Sequence, residues 1–150
     1  MAWLSVRPAF HVQHPFRTWL VSGIAATAAL GRYERLERAL LGREPAYAPA
    51  AVARRVLGDR RYGPLLRWLY GPALGVVYGA LRSRWRLPPF AFGGAVAAAE
   101  LLAMPRLGAT PPLRGREVVA LVAHASAFAL AAEIALDQAG RSASRSAVAV

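Results

Sequence analysis

The chain is 150 residues long, with 56% hydrophobic and 18% charged residues and a mean hydropathy of +0.31, which is too apolar for an ordinary water-soluble domain and bounds it to one domain. The net charge is +11 and all 19 basic residues are arginines, but they lie between apolar runs instead of along one stripe, and no zinc-finger, basic-zipper or RNA-recognition pattern accompanies them, so nucleic acid is not an expected partner. With no cysteine, disulfides, thiol catalysis and thiolate metal sites are excluded.

Before the first apolar run stand His11 and His14, three residues apart with no nearby acid, a poor metal pattern. The run itself, TWLVSGIAATAALG, lies between Arg17 and Arg32 and predicts a membrane span over about 17–32; the long proline-containing lead before Trp19 suits an uncleaved span better than a signal peptide. RYERLERALLG then continues the helix, with Leu36, Leu40 and Leu41 on one side and Glu34, Glu37 and Arg38 at helix-pairing distances. After the break at EPAYAPA, the stretch AVARRVLGDRR reads as a short juxtamembrane helix. Val52, Ala53, Val56 and Leu57 would face inward and Arg54 and Arg55 would face anionic headgroups; a solvated linker helix is the alternative.

The second span, about 64–82, follows Gly63 and Pro64 and contains Gly71, Pro72, Gly75 and Gly79. The third, PPFAFGGAVAAAELLAM, covers about 88–105, opening and closing on prolines. The fourth, VVALVAHASAFALAAEIAL, covers about 117–137 and alone has roughly the 20 residues that a bilayer core requires. In the shorter spans Arg17, Arg32, Arg67 and Arg82 would lift their guanidinium groups to the interface. Residues 138–150 lack periodicity and predict a disordered tail. The expected fold is all-α, a bundle of four transmembrane helices with a juxtamembrane helical connection.

Glycine at every fourth position costs a water-exposed helix about 1 kcal/mol each, and an interior proline about 3. In lipid the same residues permit close helix contact, so Gly71, Gly75 and Gly79 predict a packing seam. Gly94 and Ala98 predict another on the third span, and Ala123, Ala127, Ala131 and Ala135 one on the fourth. The partner of the glycine seam is expected within the chain, with another subunit as the alternative. Tyr62, Tyr70, Tyr78, Trp19, Trp68 and Trp85 fall near span ends, where amphipathic rings settle.

The run LLRWLYGPALGVVYGALR, the following FGGAVAAAE and MPRLGATP, and the histidine in LVAHASAFAL resemble the YagU-type group of small bacterial inner-membrane proteins over roughly Tyr62 to Leu136. The chain departs from that pattern at Arg67 and Trp68, where the group commonly has a histidine, and in the alanines that follow His124. The resemblance implies a four-helix membrane architecture and no activity.

Polar residues at membrane depth are where function is sought. Antiparallel neighbours bring Arg67, Glu100 and His124 to one depth, while Glu133 belongs to the other side with Arg17 and Arg82. The cluster reads either as charge neutralisation or as a proton and substrate site, histidine being the group whose charge changes most easily near neutral pH. His124, with Ala120 one turn before it, is also the residue that would ligate haem or chlorophyll. No phosphate loop, nucleophile elbow or zinc-protease motif is present, so no enzyme and no resident cofactor is expected. The predicted function is an accessory or scaffold subunit packing against other membrane-protein subunits or itself, with a small transporter or proton-coupled carrier using Glu100 and His124 as the alternative. Twelve arginines on the side of the 32–63 connection against seven on the other place that connection in the cytoplasm and both termini outside a bacterial inner membrane.

Overall fold

The computed structural model describes residues 15–41, 49–108, 113 and 115–148, and every element among them is helical. In chain order these are α1 (Pro15–Leu41), α2 (Pro49–Leu57), a 3-10 turn (Arg60–Tyr62), α3 (Gly63–Trp85), α4 (Pro89–Arg106) and α5 (Arg116–Val148). Prolines set most of the helix starts. Pro64 and Pro89 occupy first-turn positions, where a missing N–H is harmless, and Pro88 stops α3 from running on. α5 starts after Gly115, whose φ of +54° no branched side chain would tolerate, and Glu117 lies in its first turn, where a carboxylate favours the helix dipole.

α5 runs helical to Val148, so residues 138–148 do not form the unstructured tail that their lack of periodicity suggests. Helix propagation from a formed segment is far easier than nucleation, and this stretch contains no proline to stop it. The histidines His11 and His14 lie outside the described residues.

Contacts between α1 and α3 follow a simple antiparallel register: Trp19 on Gly79, Gly23 on Gly75 and Thr27 on Gly71. A Cβ built on Gly75 would fall on the Gly23 backbone and 3.0 Å from the Trp19 carbonyl, so the two backbones touch. Pro72 is buried in the same contact, within 2.8 Å of where a Gly23 Cβ would sit. The hydroxyls of Ser22 and Thr27, both buried, donate to the Trp19 and Gly23 carbonyls at 2.7 Å, so neither is an unmet cost. α1 also packs on α5, and α5 on α4, where Gly93 meets the Ala125 carbonyl and Ser126. α2 folds back on the start of α3, Gly63 against Ala50, and Arg55 Nε donates to the Leu107 carbonyl at 2.8 Å.

Among the described residues, the core is half alanine and half large apolar side chains. Ala26, Tyr78, Phe92, Phe128, Ala129, Ala132 and Leu136 form its main part, and Ala97, Leu121 and Ala125 a second. Other large aliphatic and aromatic residues stand outside, among them Ile24, Leu69, Val77, Phe90, Leu102, Val119 and Ile134. Exposed large apolar residues in this number leave much of the outer surface of the bundle apolar.

Among the described residues, one helix is long and apolar enough to cross a membrane, the Arg116–Ser142 part of α5, and only 28% of its apolar window is buried in the bundle. A core helix of a soluble protein is mostly buried; this one is not. The other three predicted spans do not reach that length and hydropathy. Arg17 and Arg32 bound a 14-residue apolar stretch in α1, Arg67 and Arg82 bound one of equal length in α3, and the 18 residues of α4 include Glu100, Pro105 and Arg106.

Candidate functional site

Four helices converge on one cleft near the C-terminal part of α1. Thr27, Leu30 and Glu34 come from α1, Arg67, Tyr70, Gly71 and Leu74 from α3, Val96 and Glu100 from α4, and His124, Ala125 and Phe128 from α5, with Pro49 of α2 at the edge. It holds about 560 Å³ of empty space, its open mouth included.

Arg67 and Tyr70 are three residues apart, hence neighbours on one face of α3. Arg67 Nη1 donates to Glu34 Oε2 at 2.5 Å, and the other Glu34 oxygen lies 3.5 Å from His124 Nε2. Tyr33 meets the imidazole edge-on with ring centroids 5.9 Å apart. Glu100, 7% exposed, accepts from the Tyr70 hydroxyl at 2.9 Å. Arg67 Nη2 is buried, lies close to Gly31 on α1, and has no hydrogen-bond partner among the described residues.

The three residues singled out from the sequence, Arg67, Glu100 and His124, therefore line one cleft, but with different partners from those expected. Arg67 pairs with Glu34 and not with Glu100. Glu34 and Tyr70 escaped the sequence reading, Glu34 because its neighbours Glu37 and Arg38 made it look like a surface charge pair. A signal existed: Glu34 is seven residues, two turns, after Thr27, on the α1 face that carries Gly23 and Thr27.

At the other end of the bundle, Arg82 holds Glu133 at 2.6 Å and Asp137 at 2.7 Å, and the Tyr78 hydroxyl donates to Glu133 at 2.7 Å. Arg17 is exposed and takes no part in those contacts.

Gly71, Gly75 and Gly79 are all buried against α1. Gly94 and Ala98 are not in a helix contact: an added Cβ on Gly94 meets nothing within 4 Å, and Ala98 is exposed. The buried face of α4 is Phe92, Gly93, Ala97 and Glu100. Both registers offer a glycine and an alanine four apart, and the one adopted is the one that takes the Glu100 carboxylate off the outer surface, where it would cost most. On α5 the buried positions are Leu121, Ala125, Phe128, Ala129, Ala132 and Leu136, in place of the expected seam at Ala123, Ala127, Ala131 and Ala135. In α2 only Ala53 of the four apolar residues is buried, while Val56 and Leu57 are exposed beside Arg54 and Arg55.

No group of three or more His, Asp or Glu side chains suited to a metal ion occurs among the described residues. For haem or chlorophyll, His124 would have to turn Nε2 away from Glu34. Comparisons with protein-family models, with curated proteins and with solved structures return no match for this chain.

Proposed function

We propose that the chain is a non-enzymatic, four-span protein of a bacterial inner membrane in which α1, α3, α4 and α5 cross the bilayer and the Glu34–Arg67–Tyr70–Glu100–His124 cleft binds a small solute for proton-coupled transport. The observation that carries this reading is the Glu100–Tyr70 pair, set beside Glu34, Arg67 and His124 in a cleft with apolar walls into which all four long helices contribute side chains. The Arg82–Glu133–Asp137 network lies beyond it at the far end, roughly 12 Å along α3 as counted from Tyr70 to Tyr78. Ionisable groups inside a membrane bundle mark solute and proton pathways more often than other positions do. The membrane setting is supported by the unburied surface of α5 and by the large apolar residues on the outside of the bundle. The arginine-rich end, with Arg54, Arg55, Arg60 and Arg61 around α2, is then cytoplasmic, and both termini lie outside. The resemblance to the YagU-type group agrees with this architecture and adds no activity to it.

Reconstitution tests the proposal. Proteoliposomes with a trapped pH dye, offered a panel of amines, carboxylates and amino acids, should show solute-dependent proton movement that Glu100→Gln abolishes while the variant elutes as a folded particle. Flux that is unchanged in the variant, or absent for the whole panel, sinks it.

An accessory or scaffold subunit is the second reading, favoured by the outer face of α4. Gly94 and Ala98 lie open there between Phe90 and Leu102, leaving room for a partner helix to approach closely. The glycine seam on α3 gives this reading no support, because α1 already fills it. Purification in mild detergent decides: a stoichiometric partner co-migrating with the chain, and lost on Gly94→Leu, supports the subunit reading.

A further inference from the structure

Among the described residues, the charges in the cleft do not balance. Arg67 is answered by Glu34, and His124 in its neutral form adds nothing, so no described cation compensates the Glu100 carboxylate. It accepts from a neutral donor, the Tyr70 hydroxyl. An ionised carboxylate in such surroundings calls for a proton or another cation. An anionic solute would add to that excess, and the charge of Arg67, the one arginine on the described lining, is already met by Glu34.

The walls say what kind of cation. Leu30, Leu74, Val96 and Phe128 are apolar, and Tyr70 and Phe128 place two aromatic rings on the lining. Strongly hydrated inorganic ions need several oxygen ligands, and with Glu34 held by Arg67 and the Thr27 hydroxyl by the Gly23 carbonyl, the described lining leaves chiefly Glu100 and the Tyr70 hydroxyl. An ammonium or phosphonium with an apolar body loses little hydration, buries its hydrocarbon against the aliphatic side chains and gains from the ring faces.

We propose, resting on the carrier reading of the same cleft, that its solute is a lipophilic organic monocation bound at Glu100 in exchange for one proton. The proton leaves the Glu100 carboxyl as the cation arrives, so the charge of the cleft is the same in both states. The other ionisable groups facing it, Glu34 on α1, Arg67 and Tyr70 on α3 and His124 on α5, hold the site's remaining charge and hydrogen bonds.

The test uses the full chain in mild detergent with tetraphenylphosphonium as probe. Binding should be saturable, tighten about tenfold per pH unit while the carboxyl is protonated in the free protein, and release close to one proton per cation. Glu100→Gln should weaken binding at least about tenfold and flatten its pH dependence. In the unmodified chain, dicyclohexylcarbodiimide should label Glu100, and the cation should block labelling; this measurement does not depend on the variant folding. Equal, equally pH-dependent binding by the Glu100→Gln variant overturns the proposal, as does labelling that the cation leaves unprotected. If benzoate protects Glu100 and tetraphenylphosphonium does not, the cation inference falls while the carrier reading survives. If neither protects and the solute panel gives no flux, both fall.

Discussion

Single atoms decide which glycines matter. A Cβ on Gly71 falls on the Thr27 side chain, whereas one on Gly75 falls on backbone, which cannot be trimmed. Gly71→Ala should therefore lower thermal stability in detergent, by about 1–3 kcal/mol as overpacking does, and Thr27→Ala should restore much of the loss. Gly75→Ala should cost a similar amount with no such rescue, and Gly94→Ala, open on all sides, should be neutral or stabilising by up to about 1 kcal/mol. Equal effects at Gly75 and Gly94 would contradict the α1–α3 register. Arg67→Ala strands the Glu34 carboxylate, whose side chain is 14% exposed, and should destabilise by about 3 kcal/mol, with Glu34→Gln in the same chain recovering part of it. For His124, the purified protein's visible spectrum is the direct check on a bound haem or chlorophyll.

At the scale of elements, α2 is held less by burial than by two contacts, Gly63 on Ala50 and Arg55 on the Leu107 carbonyl. Arg55→Gln should speed amide exchange across Pro49–Leu57 several-fold while leaving α3 and α5 protected, because the helix contributes one buried side chain, Ala53, to the described interior. Exchange that stays unchanged would mean the Leu107 contact does not anchor the helix. The elements themselves were legible because their punctuation is local: Pro64, Pro88 and Pro89 act within a turn of where they stand. Rotation of a helix about its axis is not local. Gly93 and Gly94 are one residue and 100° apart, and only the neighbouring helix decides which turns inward. The same holds for Glu34, whose partner Arg67 is 33 residues away on α3. Arg67, Glu100 and His124 were readable as a group because depth along a helix follows from sequence number, while pairing within the group depends on register.

For the molecule as a whole, the apolar stretches Thr18–Gly31 and Trp68–Leu81 pair antiparallel, so their bounding arginines fall into two levels: Arg17 with Arg82, and Arg32 with Arg67. Fourteen residues of helix measure about 21 Å, against roughly 30 Å for a typical bilayer interior. Reconstituted protein should melt at a higher temperature in dimyristoyl than in dieicosenoyl phosphatidylcholine, as light scattering or intrinsic tryptophan fluorescence would record; the opposite order would mean that α1 and α3 do not lie across the bilayer. If the order holds, this hairpin acts on its surroundings as much as it is held by them. The two leaflets must pucker toward each other around it, and the elastic strain in that dimple would draw short-tailed lipids and other thin-waisted proteins to the same spot without any direct contact between them.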